Sequence, residues 1–429
     1  MLFEKVAILD ENANVCSDMY VGTKGETIAY VGKQKPKEDF GETISGKDRL
    51  LTCGLFNAHG HAPMTLLRGY GENLSLSDWL NTRIFPFEAK LRGEDIYNGS
   101  MLAYAEMLRT GSVSSTDMYF FGDEMVQAIV DSKIKCNFSL GTTCFDDRSL
   151  RELAVYDLNR RMYKDYHNTA NGRVKLDLCI HAEYTSTPRI VKEMAEESAQ
   201  ARLNVQIHLS ESKSEHEECK VRHNKTPARY FFDLGLFDSP VIAAHCVWLE
   251  DEDFDILRQK DVTVACCPAS NMKLASGFAN IPEMLRRNLR VAIGTDGAAS
   301  NNSLDMRADM KLFALLPKGA FGDPAAVTPA QTFLAATRAG ALAQGREDCG
   351  VLAQGYRADL VLWRTDVPAM QPVHDMLSNF IYAGSGSDAF LTMVDGTVVY
   401  RDGEFLHLDI EQVLYDAKKS TNAILSRMH

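Results

Sequence analysis

The chain has 429 residues, 45% hydrophobic and 24% charged, with a net charge of -12 and no dense Lys/Arg block. That is enough for a large core and more than one domain, and it excludes a nucleic-acid footprint. The ten cysteines show neither disulfide spacing nor a CxxC pair, no signal-peptide pattern follows Met1, and no apolar run reaches membrane-spanning length, so a cytoplasmic protein with mostly buried free thiols is expected, one that binds neither nucleic acid nor membrane.

Residues 1–49 hold short β-like runs, 5–9 and 27–31. The run 51–58 is the first of eight candidate strands; the others span 113–118, 136–141, 174–181, 204–209, 240–245, 261–266 and 290–295. Between them lie amphipathic stretches, among them 99–110, 123–133, 149–165, 187–202 and 250–259. Strands alternating with helices predict a parallel α/β sheet, and eight repeats fit a (β/α)8 TIM-like barrel with its chemistry at the C-terminal rim. Residues 350–405 return to β-like runs, with Asp395-Gly396 as a hairpin signal, and 409–427 reads as a closing helix. The expected organisation is a barrel over 53–346, flanked by a small β-sandwich domain that both chain ends form, 1–52 and 347–429.

His59-Gly60-His61 closes the first barrel run. Residues two apart on a strand share a face, so both imidazoles leave on one side and can share a metal ion. His208, His245 and Asp296 fall at later strand ends, as does His181. Each alone has a bland alternative: a histidine bonded to a backbone carbonyl, or a helix-capping aspartate. Together they make a His, His, His, Asp set that suits a divalent cation, zinc before iron or manganese. Such a cation lowers the pKa of a bound water to about 7, and Glu211, three residues past His208, can carry the proton. His167, His216, His223, His374, His407 and His429 lack strand-end placement and read as structural or solvated.

These stretches resemble the amidohydrolase superfamily, in its aminohydrolase branch. The likeness rests on Gly54-Leu55-Phe56-Asn57-Ala58-His59-Gly60-His61, His208-Leu209-Ser210-Glu211, Ala244-His245-Cys246 and Gly294-Thr295-Asp296-Gly297. It implies one metal on His59, His61, His208 and Asp296. It further implies that Asp296 takes a proton from water, Glu211 protonates a substrate ring nitrogen, and His245 stabilises the tetrahedral intermediate that expels ammonia. Strand 174–181 ends at His181 without a bridging lysine, which fits a single metal.

Within the branch the chain is most similar to deaminases of 5'-methylthioadenosine and S-adenosylhomocysteine. Trp79 and Glu88 resemble the segment whose glutamate grips the ribose diol, His181 a residue that meets the purine, and Arg148 a carboxylate-binding arginine. By spacing, Cys136 falls where a neighbouring subunit would supply a second arginine, which favours small or uncharged 5' groups: methylthioadenosine, 5'-deoxyadenosine or adenosine. The expectation is therefore a hydrolytic nucleoside deaminase, with a homo-oligomer as its assembly. Two alternatives remain open: a deaminase or chlorohydrolase of another aminated heterocycle (a guanine-type base, pterin or triazine), and a catalytically silent binding protein on the same fold.

Overall fold

The computed structural model describes residues 1–428; His429 lies outside the described residues. Eight parallel strands follow one another through the middle of the chain: Leu55–Gly60, Ser112–Tyr119, Lys135–Leu140, Val174–Leu176 continuing as Leu178–Cys179, Val205–Leu209, Val241–His245, Thr263–Cys266 and Arg290–Ile293. They pair in sequence order. The first three are buried along their whole length, as parallel strands covered on both faces must be.

The fourth strand is interrupted at Asp177, which divides the ladder into a four-stranded and a five-stranded sheet. Backbone bonds carry it across: Asp177 N donates to Phe138 O at 2.9 Å, and Leu178 N to Asn204 O at 2.8 Å. The eighth strand returns to the first through Asp296 N, which donates to His59 O at 3.0 Å. Side chains reinforce this seam, since Asn57 Nδ2 donates to Thr295 Oγ1 at 2.7 Å and Thr295 N to Asn57 Oδ1 at 3.0 Å. The barrel expected from the alternation is thus present.

Helices over Gly93–Arg109, Gly122–Ser132, Ala154–Tyr166, Pro188–Ala201 and Asp251–Gln259 cover the strands, close to the amphipathic stretches read from sequence. Local chemistry sets their starts. Thr187 accepts from Ile190 N with Pro188 at the first helical position, and Ser212 accepts from Glu215 N to begin Lys213–His223.

The run 51–58 proves to be two strands. Arg49–Cys53 belongs to a nine-stranded outer sheet, and Leu55–Gly60 to the barrel. In the outer sheet Arg49–Cys53 lies between Leu2–Leu9, parallel to it, and Leu360–Arg364, antiparallel to it, so the two chain ends meet in one ladder. Ala389–Val394 and Thr397–Arg401 form the expected hairpin, with Asp395 and Gly396 both at positive φ (47° and 73°) as its turn requires. The closing helix spans Ile410–Met428 and packs on Gly93–Arg109. Among the described residues, no helix is long and apolar enough to cross a membrane.

Candidate active site

Four barrel strands deliver the histidines and the aspartate to one place. The donor atoms of His59, His61 and Asp296 lie within 4.8 Å of one another, and so do those of His59, His208 and His245. Asp296 Oδ1 is 3.3 Å from His61 Nε2 and 3.7 Å from His59 Nε2, and His208 Nε2 is 3.4 Å from His61 Nε2. The backbone bends sharply to do this: Ser210, His245, Cys246 and Asp296 all have positive φ, a costly conformation for such side chains.

The outer nitrogens are already committed. His61 Nδ1 donates to Met118 O at 2.6 Å, and His208 Nδ1 to His181 O at 2.8 Å, so each neutral ring turns the lone pair of Nε2 inward. His59 Nε2 is buried and has no hydrogen-bond partner among the described residues. An orphaned ring nitrogen, two tautomers fixed by carbonyls and one carboxylate oxygen are a donor set that fits a divalent cation. Burial, helped by the neighbouring rings, holds His59 and His208 well below the usual imidazole pKa, which keeps both neutral. Burial also opposes a charge on His61, but Asp296 outweighs it and lifts the pKa to about 9; a proton and a cation compete for that place.

Asp296 divides its oxygens. Oδ2 accepts from Ser270 Oγ at 2.6 Å and Ser300 Oγ at 2.9 Å, while Oδ1 faces the histidines. Beside the cluster, His245 Nε2 is 3.9 Å from Glu211 Oε2, and His245 Nδ1 donates to Asn271 Oδ1 at 2.9 Å. Burial pushes the Glu211 pKa upward, which favours the proton-bearing form. The turn carrying Glu211 is braced by buried Glu215, which accepts from Ser210 N at 2.9 Å and Glu211 N at 2.8 Å.

The residues expected to meet substrate fare differently. The His181 ring lies 4.9 Å from that of His208; its Nδ1 contacts Thr185 Oγ1 at 3.0 Å, and burial lowers its pKa to about 4. Glu88 reaches the barrel rim by accepting from Tyr119 OH at 2.7 Å. Trp79 is buried in the apolar cluster of its segment, among them Phe87. Arg148 is half exposed, and its Nε donates to Asp146 at 2.9 and 3.0 Å; among the described residues no hydrogen bond or ion pair joins it to the site histidines. The reading of Cys136 is corrected. It is fully buried inside the third barrel strand, next to Tyr104 OH at 3.8 Å, where no side chain could reach a neighbouring subunit. Cys136 therefore gives no preference for uncharged 5' groups.

Sequence reasoning passed over Tyr119, Glu215 and the clasp of Ser270 and Ser300 on Asp296. Tyr119 had a usable signal, because it ends a barrel strand as the histidines do. Ser270 lies 26 residues from Asp296, and nothing in that spacing betrays the contact.

The amidohydrolase family pattern matches residues 50–399. A 5-methylthioadenosine/S-adenosylhomocysteine deaminase of Dictyoglomus thermophilum is 37% identical over 429 residues, covering 100% of this chain and 99% of the relative. A 5'-deoxyadenosine deaminase of Methanosphaera stadtmanae is 37% identical over 419 residues, 97% of each chain. The crystal structure of an adenosine deaminase from Xanthomonas campestris with bound zinc superposes with a TM-score of 0.92 at 29% identity, covering 99% of this chain and 98% of that one. The barrel, the convergent donors and these full-length likenesses agree, and the chain belongs to the amidohydrolase family.

Proposed function

We propose that this protein is a metal-dependent hydrolytic deaminase of adenosine-type nucleosides. Its substrates would be 5'-methylthioadenosine, 5'-deoxyadenosine, adenosine or S-adenosylhomocysteine, each converted to the inosine form with release of ammonia. The observation that carries this reading is the convergence of His59, His61, His208 and Asp296 next to the Glu211–His245 pair. The substrates named for the full-length relatives support the nucleoside class.

His59, His61, His208 and Asp296 would hold the cation, zinc by preference for imidazole and carboxylate, with iron or manganese as the other candidates. When bound, it supplies Lewis acidity that makes a water ionise near neutral pH. Water oxygen bonds to the amine-bearing ring carbon while Asp296 takes the water's proton. Glu211, whose proton-bearing form burial favours, gives a proton to the adjacent ring nitrogen. Burial opposes a charge on His245, but Glu211 and Asp296 outweigh it and raise its pKa; in its charged form the ring donates from Nδ1 to Asn271 and from Nε2 to the new oxygen. The C–N bond then breaks: the amine leaves as ammonia with the bonding pair and the proton held on Asp296, while the new oxygen closes its carbonyl and passes its remaining proton to Glu211, which restores both carboxyl groups. Glu88, in the segment that also carries Trp79, would accept from the ribose hydroxyls, with His181 against the purine and Arg148 towards a charged 5' group.

We further infer the division into a barrel, 53–346, and a flanking domain from 1–52 and 347–429, which the partition of strands between sheets supports. Nine of the ten free cysteines are buried, which suits a cytoplasmic protein.

Ammonia release from the four nucleosides by zinc-loaded protein tests the reading. Glu211→Gln is expected to lower kcat by roughly 100-fold or more while metal content is unchanged. Loaded protein inert towards every nucleoside, or indifferent to Glu211→Gln, overturns it.

A further inference from the structure

Glu88 ends a helical segment, Leu76–Glu88, that belongs to none of the sheets. One turn of it, Leu80–Ile84, is π-helical, a departure often found at functional sites. The side chain of Glu88 makes one hydrogen bond among the described residues, from Tyr119 OH to Oε1. Tyr119 is the last residue of the second barrel strand and only 4% exposed, so it belongs to the rigid scaffold. Its ring centre lies 6.5 Å from that of His61, which puts this anchor beside the metal-donor cluster. Upstream of the segment, Lys273 Nζ donates to Glu72 at 3.0 Å.

The chemistry of the pair is one-directional. A phenol has a single proton to give, and an ionised carboxylate only accepts, over about four lone-pair sites. With one site of Oε1 filled by Tyr119, Oε2 has no protein donor among the described residues. Burial pushes the Glu88 pKa up, and the phenol and His61 oppose that rise. Burial and Glu88 together hold the Tyr119 pKa well above its ordinary value, so the phenol stays a donor throughout the working range.

Resting on the nucleoside reading above, we propose that Tyr119 is a positioning residue for ribose recognition. By donating to one oxygen of Glu88, it holds the other ready for the substrate's vicinal hydroxyls, and so sets the preference for ribose over sugars that lack them. Substrate contact belongs to Glu88; Tyr119 acts through it.

The test compares adenosine with 2',3'-dideoxyadenosine in wild type, Tyr119→Phe, Glu88→Gln and the double variant, all zinc-loaded. Phenylalanine keeps the buried ring and removes only the hydroxyl. For Tyr119→Phe, kcat/KM on adenosine is expected to fall about tenfold or more, mainly through KM, because a hydrogen bond to a charged group is lost. On the dideoxy analogue the change should stay within about threefold, so the selectivity ratio collapses. The double variant should be no worse on adenosine than Glu88→Gln alone, which shows that the two act as one unit. Equal losses on both substrates, or an undiminished preference in Tyr119→Phe, overturns the role of Tyr119 and leaves the deaminase reading standing. Wild type that turns over both sugars equally well removes ribose recognition from Glu88, and this proposal with it. Thermal midpoint and zinc content are measured on each variant, and a Tyr119→Phe protein that folds, holds zinc and keeps full selectivity counts against the proposal.

Discussion

Asp296 serves two neighbours at once. Oδ1 faces His59 and His61, whereas Oδ2 is fixed by the hydroxyls of Ser270 and Ser300. Those two donors orient the carboxylate and leave it acceptor-only, and such outer partners typically contribute about 10–100-fold to metal affinity. Ser270→Ala is therefore expected to weaken zinc binding by about tenfold or more. Competition against a chelator of known affinity checks this, with unchanged binding as the adverse result. His59, His61, His208 and Asp296 were visible in the sequence because each stands at the end of an apolar strand run, and the alternation puts strand ends on one rim. The serines were not: Ser270 sits on the short helix Pro268–Lys273, whose packing against the Asp296 turn sets that contact, and Ser300 reaches back four residues within the turn itself. Nor was the left-handed backbone at His245 and Asp296, which residue identity does not announce.

At the scale of elements, barrel closure and site assembly share one seam. Gly294 follows the last strand, and a Cβ there would meet His59 Cβ at 2.9 Å and His59 N and O at 3.0 Å. The neighbour is mostly backbone, so it cannot turn aside. Gly294→Ala should then force the first and eighth strands apart, at a cost of about 1–3 kcal/mol. Because the displaced residue is His59, zinc stoichiometry should fall along with the thermal midpoint; a variant with both intact would show that the seam yields freely. Most strands and helices of this architecture could be read from sequence, because their period and burial agree. Two features could not. The run 51–58 is mostly apolar, with Thr52 and Asn57 its polar residues, so periodicity did not show that it passes from the outer sheet to the barrel at Gly54. The break at Asp177 was hidden inside another run; the residue is buried and held by Asn137 Nδ2 at 3.1 Å and Gln206 Nε2 at 3.0 Å, a tertiary arrangement.

Over the whole molecule, the barrel and the outer sheet are joined by buried charges. Lys135 opens the third barrel strand, Asp359 precedes the strand Leu360–Arg364, and Asp395 sits in the hairpin turn. Lys135 Nζ reaches Asp359 Oδ1 at 2.5 Å and Asp395 Oδ1 at 2.6 Å, and the side chains of Lys135 and Asp359 are each 1% exposed. Arg357 Nε adds a contact to Asp395 at 2.9 Å. Removing the ammonium leaves two carboxylates with too little positive charge, and breaking such a buried set costs about 3–5 kcal/mol. Lys135→Met, which keeps the volume of the stem, should therefore lower the thermal midpoint strongly at pH 7. The pH dependence gives the sign. Burial alone would raise the Asp359 pKa, but Lys135 outweighs it and holds it below the ordinary carboxylate value. A depressed folded pKa means stability that is present above the unfolded pKa, about 3.9, and lost as pH falls through the folded one. The gap between wild type and Lys135→Met should thus be widest near neutral pH and narrow in acid, as the variant's carboxylates take up protons first. Thermal midpoints measured from pH 7 downward decide it: a gap that stays constant would mean that Lys135 contributes packing and no charge.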